Sequence, residues 1–212
     1  FSFNDILFQG LSKDGGLFLP REWPRINLDQ LSNKTYQEVA TELIHPFTKE
    51  DIKKTDLYEI ILKSYVNFEN HKIAPIYELD KNKFLLELFY GPTYAFKDYA
   101  LQFLGNLFSY SLKRYPRNIT VLGATSGDTG SAAIHAFKTN QDINVFILHP
   151  HGKVSPMQQK QMTTVDEENI FNIAIEGNFD DCQKIVKTLF VDNEIQNKTS
   201  LTAINSINWA RL

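Results

Sequence analysis

Three stretches of this chain hold residues whose types and spacing could do chemistry. The first is ELFYGPTYAFKDYA (87–100), where Lys97 follows a Gly-Pro turn and an aromatic cluster and opens an apolar helix. Such surroundings strip water from an ammonium and free the amine to act as nucleophile or base, which is the requirement of Schiff-base chemistry. The alternative is a solvated lysine in a first helical turn. The second stretch is ITVLGATSGDTGSAAIHAF (119–137), an apolar run that stops at a loop of small and hydroxylated residues before a helical pattern resumes. Glycines at 123, 127 and 130 permit close backbone approach, and Thr125, Ser126 and Thr129 add hydroxyls, so the expected guest is a small anion, a carboxylate or a phosphate. The loop is neither a P-loop, since Ser131 and Ala132 follow Gly130, nor a dinucleotide fingerprint, which needs glycine at 125. A structural turn with a hydroxyl cap is the other reading. The third stretch, AINSINWARL (203–212), delivers Asn205, Ser206, Asn208 and Arg211, a set suited to phosphate through the planar guanidinium fork. Polar residues closing a turn would look the same.

These groups need elements to position them. Phe1 to about Asp80 reads as short helices and turns, with KDGGLFLP as a loop entering an extended segment and helical spacing in TYQEVATELIHPF (35–47) and TDLYEIILKSYVNF (55–68). After Asp80 the rhythm changes to FLLELFYG as a strand, a helix from Lys97, the strand ITVLGA, the helix SAAIHAFK and the strand NVFILHP. A helix opening at SPMQ, the strand FNIAIEG, the helix FDDCQKIVKTLF and a final strand LTAINSI complete the series. Alternating strands and helices predict an α/β fold, a parallel sheet wrapped on both faces by helices. In such a sheet ligands sit beyond the carboxyl ends of the strands, where the 125–130 loop falls. Ser155-Pro156-Met157-Gln158 predicts a helix start with Ser155 as N-cap and Gln158 closing a capping box. The boundaries are 1–80 for a helical part of a large domain, 81–200 for a smaller α/β domain and 201–212 for a return to the large domain.

Composition narrows the function classes. With 212 residues, 42% hydrophobic and 16 of them phenylalanine, the chain can bury a sizeable core. Its 22 basic and 25 acidic side chains are interspersed and sum to a net charge of -3, which argues against nucleic-acid or anionic-membrane partners. No apolar run reaches the roughly 20 residues of a membrane span. The single cysteine, Cys182, rules out an intramolecular disulfide, reads as a buried structural thiol and suggests a reducing compartment. His149 and His151 lack a third ligand at a recognisable spacing and read as solvated loop residues, so no metal is expected.

The segments DGGLFLP, ELFYGPTYAFKDYALQFLG, ITVLGATSGDTGSAA, VSPMQQKQMTT, IEGNFDDCQ and AINSINWAR, in that order, resemble the threonine synthase family. These are pyridoxal-phosphate enzymes of fold type II, the tryptophan-synthase-like fold. The resemblance implies that Lys97 in AFKD holds pyridoxal 5'-phosphate as a Schiff base, with Phe96 and Asp128 beside the cofactor. It implies that Thr125, Ser126, Gly127 and Thr129 grip the substrate carboxylate, and that Asn205, Ser206 and Arg211 form part of the pocket for its phosphate. Asp128 stands where many fold-type-II enzymes have an asparagine that contacts the cofactor ring oxygen, as is usual in this branch. The implied reaction is γ-elimination and β-replacement on O-phosphohomoserine, giving L-threonine and phosphate in the cytoplasm.

The family is considerably longer than this chain, so the resemblance also implies that the later glycine-rich loop for the cofactor phosphate and most of the large domain lie outside it. The 212 residues alone are then expected to be inactive, and to expose apolar surface or self-associate where the strand near Ile204 lacks a neighbour. Other readings are a related phospho-lyase that releases phosphate and a ketoacid, a serine or threonine dehydratase, and a non-catalytic anion-binding module. The dehydratases usually carry an asparagine-containing loop in place of GATSGDTG. The sequence leaves the oligomeric state open.

Overall fold

The computed structural model describes residues 1–9, 12, 16 and 18–204. Helix α1 (Phe3–Leu7) starts at a reciprocal capping box between Ser2 and Asp5, and α2 (Tyr36–Thr48) at one between Thr35 and Glu38. In α3 (Lys54–Tyr65) the helical spacing is realised, since Leu57, Ile60, Ile61 and Tyr65 are all buried. The residues after α3 depart from the sequence reading. Strand β1 (Ile76–Asp80) pairs antiparallel with β2 (Lys83–Leu86) in a separate two-stranded ribbon, turned by Asn82 at φ 62°. Every residue of both strands is exposed. FLLELFYG therefore contributes only its first residues to a strand, and that strand lies outside the parallel sheet. It alternates neither polar with apolar nor inside with outside, which is why its partner went unseen.

Helix α4 (Lys97–Arg114) buries Leu101, Phe103, Leu104, Leu107, Phe108 and Leu112, and ends with Lys113 and Arg114 facing the negative end of its dipole. Strand β3 (Ile119–Ala124), helix α5 (Asp128–Phe137), β4 (Ile143–Pro150), α6 (Pro156–Thr163), β5 (Ile170–Ile175), α7 (Phe179–Val191), α8 (Asn193–Lys198) and β6 (Leu201–Ala203) follow. The four strands form a parallel sheet in the order β5-β4-β3-β6. The chain winds outward from β3 to β5 and then returns to add β6 on the other side of β3. The winding direction thus reverses between β3 and β6, and the crevice beyond their carboxyl ends is the place such sheets offer a ligand.

Strict alternation along the strands covers both faces. Ile119, Val121, Ile143, Val145 and Ile147 pack with α4 and with Ala132, Ala133, Ile134 and Phe137 of α5. Leu122 and Leu148 pack on the opposite face with Cys182 and partly buried Val186 and Leu189 of α7. Each fully buried side chain of Ile or Phe size contributes about 1.5–3 kcal/mol. Cys182 is buried and free, as a structural thiol should be, and burial pushes its thiol up.

Several details correct the sequence reading. Helix α5 begins at Asp128 and not at Ser131, because Gly127 serves as its N-cap. Ser155 caps α6 by accepting from the Gln158 N–H, but the box is not closed, since the Gln158 Oε1 accepts from the Ser155 hydroxyl at 3.0 Å in place of the Ser155 backbone N–H. His149 is buried at 4% exposure in β4, whereas His151 is solvated and lies 3.2 Å from Glu176. Among the described residues β6 is an edge strand that lacks a second neighbour, as expected, but Thr202 is buried there and Leu201 and Ile204 are partly covered, whereas Ile76, Leu79 and Phe84 of the ribbon are among the exposed apolar side chains.

Candidate active site

Lys97 is the first residue of α4, and the turn that presents it is built on its neighbour Asp98. The Asp98 carboxylate is fully buried, accepting from the Thr93 N–H at 2.8 Å, the Thr93 hydroxyl at 2.9 Å and the Gln102 amide at 3.4 Å. Burial pushes this carboxyl above its usual range, while the bonds from Thr93 and Gln102 pull against the shift. The Gln161 amide of α6 donates to the Thr93 carbonyl at 3.1 Å, which ties the same turn to the sheet layer. Held this way, Lys97 is half-buried, not fully enclosed, with its ammonium 4.5 Å from the centre of the Phe96 ring. Among the described residues it has no ion-pair partner. It lines a cavity of about 540 Å³ with Tyr36, Tyr65, Leu88, Phe96 and Tyr99. Burial raises all three of these phenols, Tyr99 to about 12, so they stay neutral near pH 7.

The 125–129 loop is organised from within. Thr125 is buried, donates its N–H to the Leu148 carbonyl at 2.9 Å, and accepts with its hydroxyl from the N–H groups of Gly127 at 3.0 Å and Gly130 at 2.9 Å. Gly127 has φ 146°, which a residue with a Cβ adopts only under strain, and the Gln158 side chain lies directly against its α-carbon. The Thr125 hydroxyl therefore serves the loop itself. Available to an anion are the exposed Ser126, the half-buried Thr129 and the first-turn N–H groups of Asp128 and Thr129, which helix geometry leaves without intrahelical acceptors, while the half-buried Asp128 carboxylate stands beside them. Together with the positive end of α5, that is an anion-binding arrangement.

The two groups face neighbouring cavities, not a single one. Asp128 lines a second space of about 560 Å³ with Thr93, Phe96, Ser155, Gln158 and Gln161. Leu88 and Phe96 belong to both linings, so they form the partition between Lys97 and the loop. Asn205, Ser206 and Arg211 lie outside the described residues. Sequence reasoning missed Asp98, Gln102 and Gln158. The available signal was polar residues four apart, Asp98 and Gln102, on a helix face otherwise filled by Leu101, Leu104 and Phe108. Among the described residues, no cluster of three His, Cys, Asp or Glu could hold a metal ion, and no helix is long and apolar enough to cross a membrane.

Comparison with known proteins adds an independent line. Residues 1–65 match the family model described as threonine synthase N terminus. The whole chain is 48% identical to a threonine synthase of Eremothecium gossypii and 45% identical to one of Pseudomonas aeruginosa, covering 44% and 46% of those proteins. It superposes with a TM-score of 0.91 at 46% identity on a crystal structure of PLP-bound threonine synthase from Brucella melitensis, over 99% of this chain and 46% of that one. The chain thus spans about half the length of the relatives it matches.

Proposed function

Over its whole length this chain matches the N-terminal part of the threonine synthases, and on that premise we propose that its protein converts O-phosphohomoserine and water to L-threonine and phosphate with pyridoxal 5'-phosphate. The class is that of a carbon-oxygen lyase acting on phosphates. The observation that carries this reading is a half-buried amine, Lys97, with no ion-pair partner among the described residues, facing an aromatic-lined cavity one side chain away from an anion-binding helix start. A planar pyridine aldehyde fits that donor set, because the amine supplies its covalent anchor and Phe96 and the tyrosines supply flat apolar walls.

When bound, pyridoxal phosphate supplies an electron sink for charge that develops beside the amino group of the substrate. The chain's own residues do the rest. Lys97 would hold the group through its amine and, when that amine is free, would move protons at Cα, Cβ and Cγ of the substrate. Ser126, Thr129 and the first-turn N–H groups hold the substrate carboxylate at the start of α5, while Thr125 takes the Gly127 N–H and so fixes the loop that presents them. Asp128, whose carboxylate accepts from the Gln158 amide, would be the side chain beside the ring of the bound group. Asn205, Ser206 and Arg211 take the substrate phosphate. The C–O bond at Cγ breaks with its electron pair leaving on phosphate, Cγ takes up the proton given by Cβ, and the oxygen of water bonds to Cβ as the proton it releases goes to the departing phosphate.

The same proposal divides the chain at about residues 80 and 200, with 81–200 as the smaller α/β domain. It places the protein in a reducing, cytoplasmic compartment, which buried, unpaired Cys182 supports. The deciding experiment follows O-phosphohomoserine in the full-length protein. Threonine and phosphate in equal amounts support the proposal; phosphate with 2-oxobutyrate would assign a phospho-lyase instead, and no phosphate release would sink both.

A further inference from the structure

The groups proposed to act on substrate sit on the first turns of two helices, Lys97 on α4 and Asp128 with Thr129 on α5. Their separation is therefore set by how those helices cross. At the middle of the crossing the backbones nearly touch, since a Cβ on Gly105 would stand 2.5 Å from the Ala136 carbonyl oxygen. One turn closer to Lys97 lies Gln102, buried and bonded at both ends of its amide. Its NH2 donates to Asp98 Oδ1 and to the Ala132 carbonyl of α5, each at 3.4 Å, and its oxygen meets His135 Nδ1 of α5 at 3.3 Å. Since the NH2 is the donor at the other end, the contact with His135 requires the tautomer with a proton on Nδ1. Burial lowers the His135 imidazole and so favours that neutral ring.

Gln102 is thus the buried polar side chain that touches both the carboxylate under Lys97 and the helix that carries the loop. A leucine of similar size would fill the space and give more packing energy, so packing alone does not account for an amide here. At the far end of the same crossing a second polar bond, from the Asn140 amide to Ser109 Oγ at 2.9 Å, joins α4 to the turn that follows α5 without touching either candidate group.

We propose that Gln102 is a positioning residue that fixes the Lys97 turn relative to the anion-binding start of α5, through Asp98 on one side and His135 on the other. This rests on the role given to Lys97 above. The Ser109–Asn140 bond is then purely structural, and the two bonds can be set against each other. The experiment compares Gln102→Leu, Gln102→Glu and Ser109→Ala in the full-length protein. Three quantities are read: melting temperature, hydrogen exchange of the 126–130 amides, and the rate at which pyridoxal phosphate with borohydride labels Lys97.

Displacements of under an ångström are enough for Gln102→Leu to slow Lys97 labelling by about tenfold and to speed exchange in 126–130. Gln102→Glu sets a second carboxylate against Asp98 and should be worse on both readings. Ser109→Ala should leave both within about twofold of wild type, even where its melting temperature falls as far. Equal effects of Gln102→Leu and Ser109→Ala, or wild-type labelling and exchange in Gln102→Leu, would overturn the inference. Wild-type protein that never labels Lys97 would instead overturn the proposed function, and the exchange data alone would then judge Gln102.

Discussion

Helices α4 and α5 both begin at a candidate functional group, yet their first turns are secured in opposite ways. At α4 the anchor is a charge, the buried Asp98 carboxylate, which gathers the Thr93 N–H, the Thr93 hydroxyl and Gln102, so that a side chain, Lys97, can be held half-buried over Phe96. At α5 the anchor is a neutral hydroxyl, Thr125, which takes two backbone N–H groups so that the remaining ones can face outward. A carboxylate in place of Thr125 would add to the negative charge that Asp128 already brings to the start of α5. A hydroxyl at the first would gather fewer bonds around the lysine. Each helix start thus uses the anchor that its own guest tolerates.

The contrast can be broken at either end. Asp98→Ala strands three donors in the interior, and we expect a loss of about 3 kcal/mol of stability in denaturant titration, together with loss of Lys97 labelling. A loss below 1 kcal/mol would mean the carboxylate is not the anchor. Thr125→Val is nearly isosteric and removes the acceptor for the Gly127 and Gly130 N–H groups, at an expected cost of about 2 kcal/mol. Calorimetry should also show weaker binding of a carboxylate ligand, and Thr125→Ser should restore most of both. Lys97 labelling should change little in Thr125→Val, the reverse of the pattern for Asp98→Ala.

A pH series sharpens the difference in charge. The folded-state pKa of Asp98 lies above the ordinary 3.8, so the folded protein holds that proton more tightly than the unfolded chain does. The stability this gives is fully present below 3.8 and lost as pH rises through the raised value. Relative to Asp98→Asn, wild type should therefore gain stability as pH falls toward 3.8, and a flat difference would contradict a buried, titrating carboxylate. The smallest effect belongs to the exposed β1–β2 ribbon. Phe84→Lys should change stability by less than about 0.5 kcal/mol while reducing any self-association seen by light scattering. A large destabilisation there would show that the ribbon is covered in solution.

Legibility in the sequence divides along the same lines. The parallel sheet was readable because both faces are buried, which turns strands such as ITVLGA and NVFILHP into apolar runs between helical patterns. The caps at Ser155 and the burial of Cys182 were readable for equally local reasons. The ribbon was not, since Ile76, Leu79 and Phe84 face solvent and no periodicity marks them as a strand pair. His149 was misread as solvated although the strand NVFILHP already contained it, because only pairing with β5 and packing on that strand bury its side chain. At the site, Lys97 and the 125–129 loop stood out by residue type. Their anchors did not, because Gln102 and Gln158 act through contacts between helices, and Asp98 through a turn with Thr93 whose one sequence trace is polar residues four apart on an apolar helix face.

The central claim is that Lys97 is the residue on which this site turns. The direct measurement is to incubate the full-length protein with pyridoxal phosphate, reduce with borohydride, digest, and locate the label by mass spectrometry. Label concentrated on the peptide containing Lys97, and lost in Lys97→Ala while the fold is retained, is the predicted result. Label scattered over exposed lysines such as Lys83 and Lys198, with Lys97 unmodified, would contradict it.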